Sequence, residues 1–387
     1  MMVMEVKKNN LLFLDGLRGI AAFYVMTGHA RWLLWEGHDF YLVNHAKYSL
    51  VDKVLMYFFS MFKFGHEFVL FFFVLSGFVI HLKYAKKLKQ NSSFSFDKRE
   101  YFYKRIKRIY PPFIFALLLT ALMDYAGNKI NPAIYAGNTP YFLINRDIGH
   151  PSHAVKTFIG NIFFLYRQYV PTFGTNGPSW SLKYEWWFYL FYPVFLFFGK
   201  RNIVYPTIAL IVLYCLTIFL PNWPLDIVRE IFNGMLAWWL GVLLAEIFMG
   251  RINLPFKYVI PACLALSFGL AFKPIFHDLS IALLFSAILS LFLLLTERGN
   301  RLRLLVGLKP IGDISYTLYI THFPILVFCS SLLMKHNNGM LPTKSFFIIP
   351  GVAICLIAAY CFSFITERPF VRKNAGKLVV APVENSN

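Results

Sequence analysis

Charge is scarce in this 387-residue sequence: 15% of its residues are charged, and only 19 are Asp or Glu. A soluble domain carries about a quarter of charged residues, so an ordinary water-soluble domain is excluded. Cysteine is also sparse. The five (Cys215, Cys263, Cys329, Cys355 and Cys361) all lie in apolar runs with no C-x-x-C pair, which argues against a disulfide framework and against a cysteine metal site. No His, Cys, Asp or Glu set has zinc-ligand spacing. There is no Walker loop, and the "GLRG" at 16–19 lacks the strand that a dinucleotide fingerprint needs. No internal repeat or appended soluble domain is apparent. No cleavable signal peptide is expected, because the first apolar run is helix-length and holds Arg18.

What remains is apolar. Hydrophobic residues make up 58% of the chain and aromatics 19%, and runs of ~20 apolar residues, enough to cross a bilayer, recur from end to end. The expected fold is an all-α polytopic membrane bundle of about ten spans: 11–32, 64–82, 109–124, 181–199, 203–220, 228–248, 258–273, 278–296, 312–334 and 346–366. Residues 45–63 and 156–170 are apolar but interrupted, as interfacial helices would be. With both termini cytoplasmic, interior segments hold 24 of the 38 Lys and Arg residues and exterior segments 12, as the positive-inside rule requires. The net charge of +19 therefore reads as membrane topology; the partner is a lipid bilayer, with no nucleic acid. One membrane domain is expected over 1–373, with a structured exterior loop or lid at 125–180 and a disordered cytoplasmic tail at 374–387.

The first span, "LDGLRGIAAFYVMTGHA" at 14–30, keeps Asp15, Arg18 and His29 inside an otherwise apolar helix. Eleven residues separate Arg18 from His29. At ~100° per residue they return to within ~20° of one direction, ~16 Å apart along the axis. They share a face, with Asp15 one turn inward of Arg18. Ionisable groups inside a membrane normally face a bundle interior or a wet cavity and are functional. The plainer alternative is a structural Asp15–Arg18 pair with a histidine at the helix end.

"FLDGLRGIAAFYVMTGHA" (13–30) resembles the opening signature of the acyltransferase-3 membrane proteins, an arginine and a histidine with ten residues between them. "GHEFVLFFFVLSGFVIHL" (65–82), "YKRIKRIYPPF" (103–113), "PSWSLKYEWWFYLFYP" (178–193), "GDISYTLYITHFPIL" (312–326) and "TERPF" (366–370) are similar to further family motifs, in the family's order. The resemblance covers nearly the whole chain. It implies transfer of an acyl group, usually acetyl, from cytoplasmic acyl-CoA to a hydroxyl, without a metal. Acceptors in the family are sugars of surface polysaccharides, lipopolysaccharide or peptidoglycan, and sometimes small secreted metabolites. Many members carry a C-terminal hydrolase-like domain; this chain resembles the stand-alone class. The implied location is a cell membrane, the bacterial inner membrane.

A hydroxyl is a poor nucleophile at neutral pH, so acylation wants a base with a pKa near 7 within hydrogen-bond reach. His29, in the family's histidine position, is the expected base, acting by direct attack or through an acyl-histidine. Glu185 enters from the exterior side one turn into the fourth span, so its depth should match that of His29. There it would fix the imidazole tautomer or hold the sugar; its plainer alternative is a pairing with Lys183. Lys183-Tyr184 before it and Trp186-Trp187 after it depart from the usual pattern. Asp15, His29 and Glu185 form the expected catalytic set. Arg105 and Arg108, one turn apart beside Lys104, suit the phosphates of coenzyme A, although basic residues there also anchor to anionic lipid. Arg18, deeper, would meet the pantetheine or pyrophosphate or neutralise Asp15. His322 is a second site candidate by resemblance. Glu67 with His66 would line the acceptor mouth, and Trp180 lies among aromatics suited to sugar stacking. Ser76 with Gly77, and Ser315 with Tyr316, read as helix contacts, and Glu367 as a partner for Arg368 or a neighbouring basic group. The rival class is a multi-span transporter or glycan-exporting carrier that uses buried charges for coupling, but the paired broken helices of transporters are missing.

Overall fold

A computed structural model describes residues 11–91, 94–220 and 226–371. Both chain ends, including the expected tail at 374–387, lie outside the described residues. Ten helices of 16 residues or more occur among the described residues. They are α1 (Phe13–Leu33), α2 (Gly65–Gln90), α3 (Lys98–Ile130), α4 (Trp180–Gly199), α5 (Val204–Phe219), α6 (Asp226–Phe248), α7 (Phe256–Ala271), α8 (His277–Glu297), α9 (Ser315–His336) and α10 (Ile348–Thr366). Each falls on one of the expected segments. Six are long and apolar enough to cross a membrane: α2, α3, α6, α8, α9 and α10. The two charged helices of the expected site, α1 and α4, are not in that set.

Two helices outrun their apolar stretches. The third segment is expected to begin at 109, but α3 starts at Lys98 because Asp97 caps it, accepting the Glu100 amide at 2.9 Å. Helix α3 then runs unbroken through Pro111 and Pro112, so Arg105 and Arg108 project from the same rigid rod as the apolar half. Helix α2 likewise continues through Lys83–Gln90.

Close backbone contacts set the packing. A Cβ on Gly77 of α2 would lie 2.0 Å from the Trp238 carbonyl oxygen of α6, and one on Gly241 of α6 would lie 2.0 Å from the Val74 oxygen of α2. Only glycine permits that approach, as small residues do wherever membrane helices touch closely. The same argument explains "GLRG". Gly16 abuts the Leu305 carbonyl and Gly19 the Gly312 amide, and Gly312 in turn abuts the Asp15 carbonyl. Those glycines dock α1 onto the short helices Arg303–Gly307 and Lys309–Asp313. Helix α9 is central, with 78% of its apolar stretch buried, whereas α10 buries 28% and exposes Ile357, Phe364 and Ile365.

The polar stretch after α3 is folded. Its short helices Pro132–Tyr135, Phe142–Ile148 and Val155–Ile162 bury Ile144, Phe164 and Tyr166. Buried Asp124 of α3 ties the stretch down, accepting from the Thr175 amide (2.9 Å), the Thr175 hydroxyl (2.6 Å) and His153 (2.8 Å). Asn176 donates to the Ile320 carbonyl of α9 at 2.9 Å. The residues 45–63 hold the helix Leu50–Ser60, opened by a Ser49–Asp52 capping box.

Candidate active site

Two cavities lie between the central helices. The first, of about 80 Å³, is lined by Arg18 of α1, Arg105 and Arg108 of α3, Glu185 and Tyr189 of α4, and Tyr316 of α9. The second, about 720 Å³, is lined by His29 and Trp32 of α1, His66 of α2, Trp180 and Tyr184 of α4, and Phe323 of α9. Val69, Phe73 and Tyr319 line both, so three bulky side chains form the shared wall. The two polar groups of α1 thus open into two adjoining chambers, three turns apart on one face.

In the arginine cavity three guanidinium groups converge with one carboxylate. Arg105 lies over the rings of Tyr101 and Tyr189, 5.9 and 5.5 Å from their centroids. Its Nε is buried without a hydrogen-bond partner among the described residues. Arg18 has a loose contact of 3.7 Å with Asp15. Glu185 accepts from the Ser76 hydroxyl at 2.9 Å and from the Tyr189 hydroxyl, and Trp238 donates to Ser76 at 3.3 Å. A buried donor left unmade costs about 1–3 kcal/mol. Cations in excess, with one orphaned donor, make a chamber with an affinity for anions.

The histidine cavity is organised by a ring pair. His29 Nδ1 lies 2.9 Å from His322 Nε2, with ring centroids 5.1 Å apart and nearly parallel. His322 Nδ1 lies 3.1 Å from the Leu318 carbonyl oxygen, which can only accept, so Nδ1 carries the proton. In the neutral ring Nε2 is then an acceptor, and His29 Nδ1 must donate to it. The lone pair of His29 is left on Nε2, which has no hydrogen-bond partner among the described residues. Protonating Nε2 requires no rearrangement, because the imidazolium keeps the same Nδ1–H bond. The pair can therefore accept a proton from a group in the cavity.

Several expectations need correction. Glu185 is not beside His29. Helix α4 turns it toward Ser76 of α2, in the arginine cavity, about 7.5 Å further along the axis than Trp180, and His322 holds the place beside the imidazole. Lys183 is fully buried and pairs with Glu230 (3.1 Å) and Gln168 (2.6 Å), not with Glu185. Lys104 bonds Glu100 and is not among the lining of the arginine cavity, and neither Glu67 nor Asp15 lines either chamber. Glu367 accepts from the Thr317 hydroxyl at 3.0 Å, while Arg368 lies over the Phe364 ring. Trp180 does line the histidine cavity, stacked on His66 at 5.5 Å.

The sequence reading missed Glu230, Asp278, Arg146 and Arg167 in the histidine cavity and the roles of Tyr189 and Tyr319. Tyr319 donates to the Pro178 carbonyl at 3.0 Å and so accepts from the Ser181 hydroxyl at 2.7 Å. For Tyr189 the spacing held a signal: it follows Glu185 by four residues, one helical turn. Among the described residues no three His, Cys, Asp or Glu side chains gather as metal ligands would.

A family model described as an acyltransferase domain matches residues 11–368. No curated protein and no solved structure matches the chain.

Proposed function

The chain belongs to the acyltransferase-3 family, and from that premise we propose a membrane O-acyltransferase whose two cavities receive donor and acceptor from opposite sides. Acyl-CoA, most simply acetyl-CoA, supplies the acyl group and a thiolate leaving group. Arg105, Arg108 and Arg18 hold its phosphates and upper arm, and Tyr189 and Glu185 line its path. The thioester then passes between Val69, Phe73 and Tyr319, the side chains that line both cavities, to meet the acceptor. The acceptor, a sugar of a surface or exported glycan, lies in the histidine cavity with Trp180 as a stacking surface. His29 Nε2 takes the hydroxyl proton as the oxygen bonds to the acyl carbon and the C–S bond breaks; the imidazolium returns the proton to the departing thiolate. His322 keeps His29 in the basic tautomer. The arrangement belongs in a cell membrane, the bacterial inner membrane, with the arginine cavity open to the cytoplasm.

The observation that carries this reading is the hydrogen-bond order Leu318–His322–His29, which leaves one basic nitrogen in the lining of a cavity adjoining a triple-arginine chamber. General-base catalysis contributes about 10²–10⁴-fold. His29→Ala in the full-length purified protein should lower acyl transfer by that factor while insertion and thermal stability stay unchanged. The readout is CoA release together with the mass gain of one acyl group on the glycan. Turnover at the wild-type rate in that variant would remove the proposed base.

A further inference from the structure

The histidine cavity is rich in charge, and nearly all of it is paired. Arg146 grips Asp147 through two bonds of 2.7 and 2.8 Å. Glu230 is held by Lys183 at 3.1 Å, the Tyr184 hydroxyl at 2.9 Å and the Gln168 amide. Asp278 accepts from His66 at 2.9 Å and has His277 at 3.3 Å. Arg167 lines the same cavity, and its guanidinium has no carboxylate partner among the described residues. Each of the other charged side chains in the lining has a partner, and Arg167 alone has none among the described residues.

The backbone under that group is strained. Arg167 sits at φ 69°, in the left-handed region that disfavours side chains other than those of Gly, Asn and Asp. A tight turn holds it there, with the Arg167 amide donating to the Val170 carbonyl at 2.8 Å. Buried Tyr166, the preceding residue, is anchored to the Ser179 carbonyl at 2.5 Å. Strain of this kind persists where surrounding structure enforces it, and it clusters at ligand-binding sites. Here it sets the direction in which Arg167, an exposed residue at the rim, leaves the backbone beside the cavity that His29 and Trp180 also line.

We propose that the acceptor carries an anionic substituent, a carboxylate or a phosphate, and that Arg167 receives it. This inference rests on the reading of the histidine cavity as the acceptor site. A planar guanidinium matches such oxygens in a two-pronged fork. The anionic group would orient the sugar ring so that one hydroxyl faces His29. The enzyme would then select its acceptor by charge before it selects by hydroxyl position.

The test measures binding, without turnover, in the full-length His29→Ala protein held in phosphatidylcholine nanodiscs. Glucuronate, its uncharged methyl ester and glucose are compared by thermal shift and by competition. Glucuronate should bind at least about tenfold more tightly than either neutral sugar, the size of a charge-assisted hydrogen bond. Arg167→Gly keeps the left-handed backbone comfortable and should erase the preference; Arg167→Lys should keep part of it. Equal binding of all three sugars, or a preference that survives Arg167→Gly, overturns the proposal. So does an Arg167-dependent stabilisation seen only with phosphatidylglycerol in the nanodisc, which would assign the guanidinium to a lipid headgroup. Because chemistry is absent from this assay, failure here leaves the His29 mechanism standing. Failure of His29-dependent acyl transfer, conversely, leaves this binding result to be judged alone.

Discussion

The two cavities meet at a common wall but solve the problem of charge in a membrane protein in opposite ways. In the arginine cavity Arg18, Arg105 and Arg108 face one carboxylate, and that carboxylate is already satisfied by two hydroxyls. In the histidine cavity Arg146, Glu230 and Asp278 each have a partner of opposite charge or a hydrogen-bonded neighbour. Leaving a guanidinium uncompensated in low dielectric is expensive. One chamber sets three guanidinium groups against Glu185 and a loose Asp15 contact, an excess that a polyanion would offset, and the other chamber is close to neutral. Neutral surroundings suit a base that must hold its lone pair, whereas excess positive charge would draw the same lone pair toward a donor. The separation is thus a division of labour. On the proposed function, affinity for the donor would be built from charge, and reactivity toward the acceptor from tautomer and orientation.

If that division is right, substitutions in the two chambers should move different kinetic constants. The larger effect belongs to the charged chamber. Arg105→Ala and Arg108→Ala each remove hydrogen bonds to a charged group, worth about 1.5–3 kcal/mol. The donor KM should rise by roughly 10- to 100-fold in each, with the acceptor KM unchanged. Initial rates over a matrix of donor and acceptor concentrations would separate the two. An equal rise in both constants would mean that the chambers are not functionally distinct.

The ring pair should give a smaller and differently shaped effect. His322→Ala removes the acceptor that fixes the His29 tautomer, a loss of about tenfold in kcat on the scale of one ordinary hydrogen bond. Neither KM should move. His322→Gln retains an oxygen that can accept from His29 Nδ1–H, so it should recover part of the rate. A merely structural role for His322 would predict no such rescue, only a lower unfolding temperature.

Much of this division was legible in the sequence. An eleven-residue spacing put Arg18 and His29 on one face of α1, and one-turn spacing paired Arg105 with Arg108. What could not be read was which helix would stand opposite each group. Glu185 and His322 lie on α4 and α9, and the sequence places both near a plausible depth without giving the rotation of either helix. That rotation follows from long-range contacts, among them Ser76 with Glu185 and Tyr319 with Ser181 and Pro178. The loop residues Arg146 and Arg167 carried even less signal, since an irregular segment has no periodicity to assign its faces. The charged first half of α3 illustrates the reverse case. Polarity suggested a boundary at 109, but the Asp97 cap decides where the helix begins.

The wall between the chambers depends on how tightly α2 seats on α6, which allows the smallest and most diagnostic perturbation. Helix α2 supplies Val69 and Phe73 to both cavities and Ser76 to the arginine cavity alone. Its register is set by Gly77 against the Trp238 carbonyl. A methyl group there would sit 2.0 Å from a backbone oxygen, so Gly77→Ala must push the two helices apart. Overpacking of this kind costs about 1–3 kcal/mol, readable as a lower unfolding temperature of the detergent-solubilised protein. Because Trp238 also donates to Ser76, the displacement loosens Glu185 and the shared wall together. Rates with both substrates should therefore fall by a similar and modest factor, unlike the one-sided changes expected from Arg105 or His322. A Gly77→Ala protein that loses affinity for the donor alone would show that α2 serves only the arginine cavity, and that the wall is held by Tyr319 of α9.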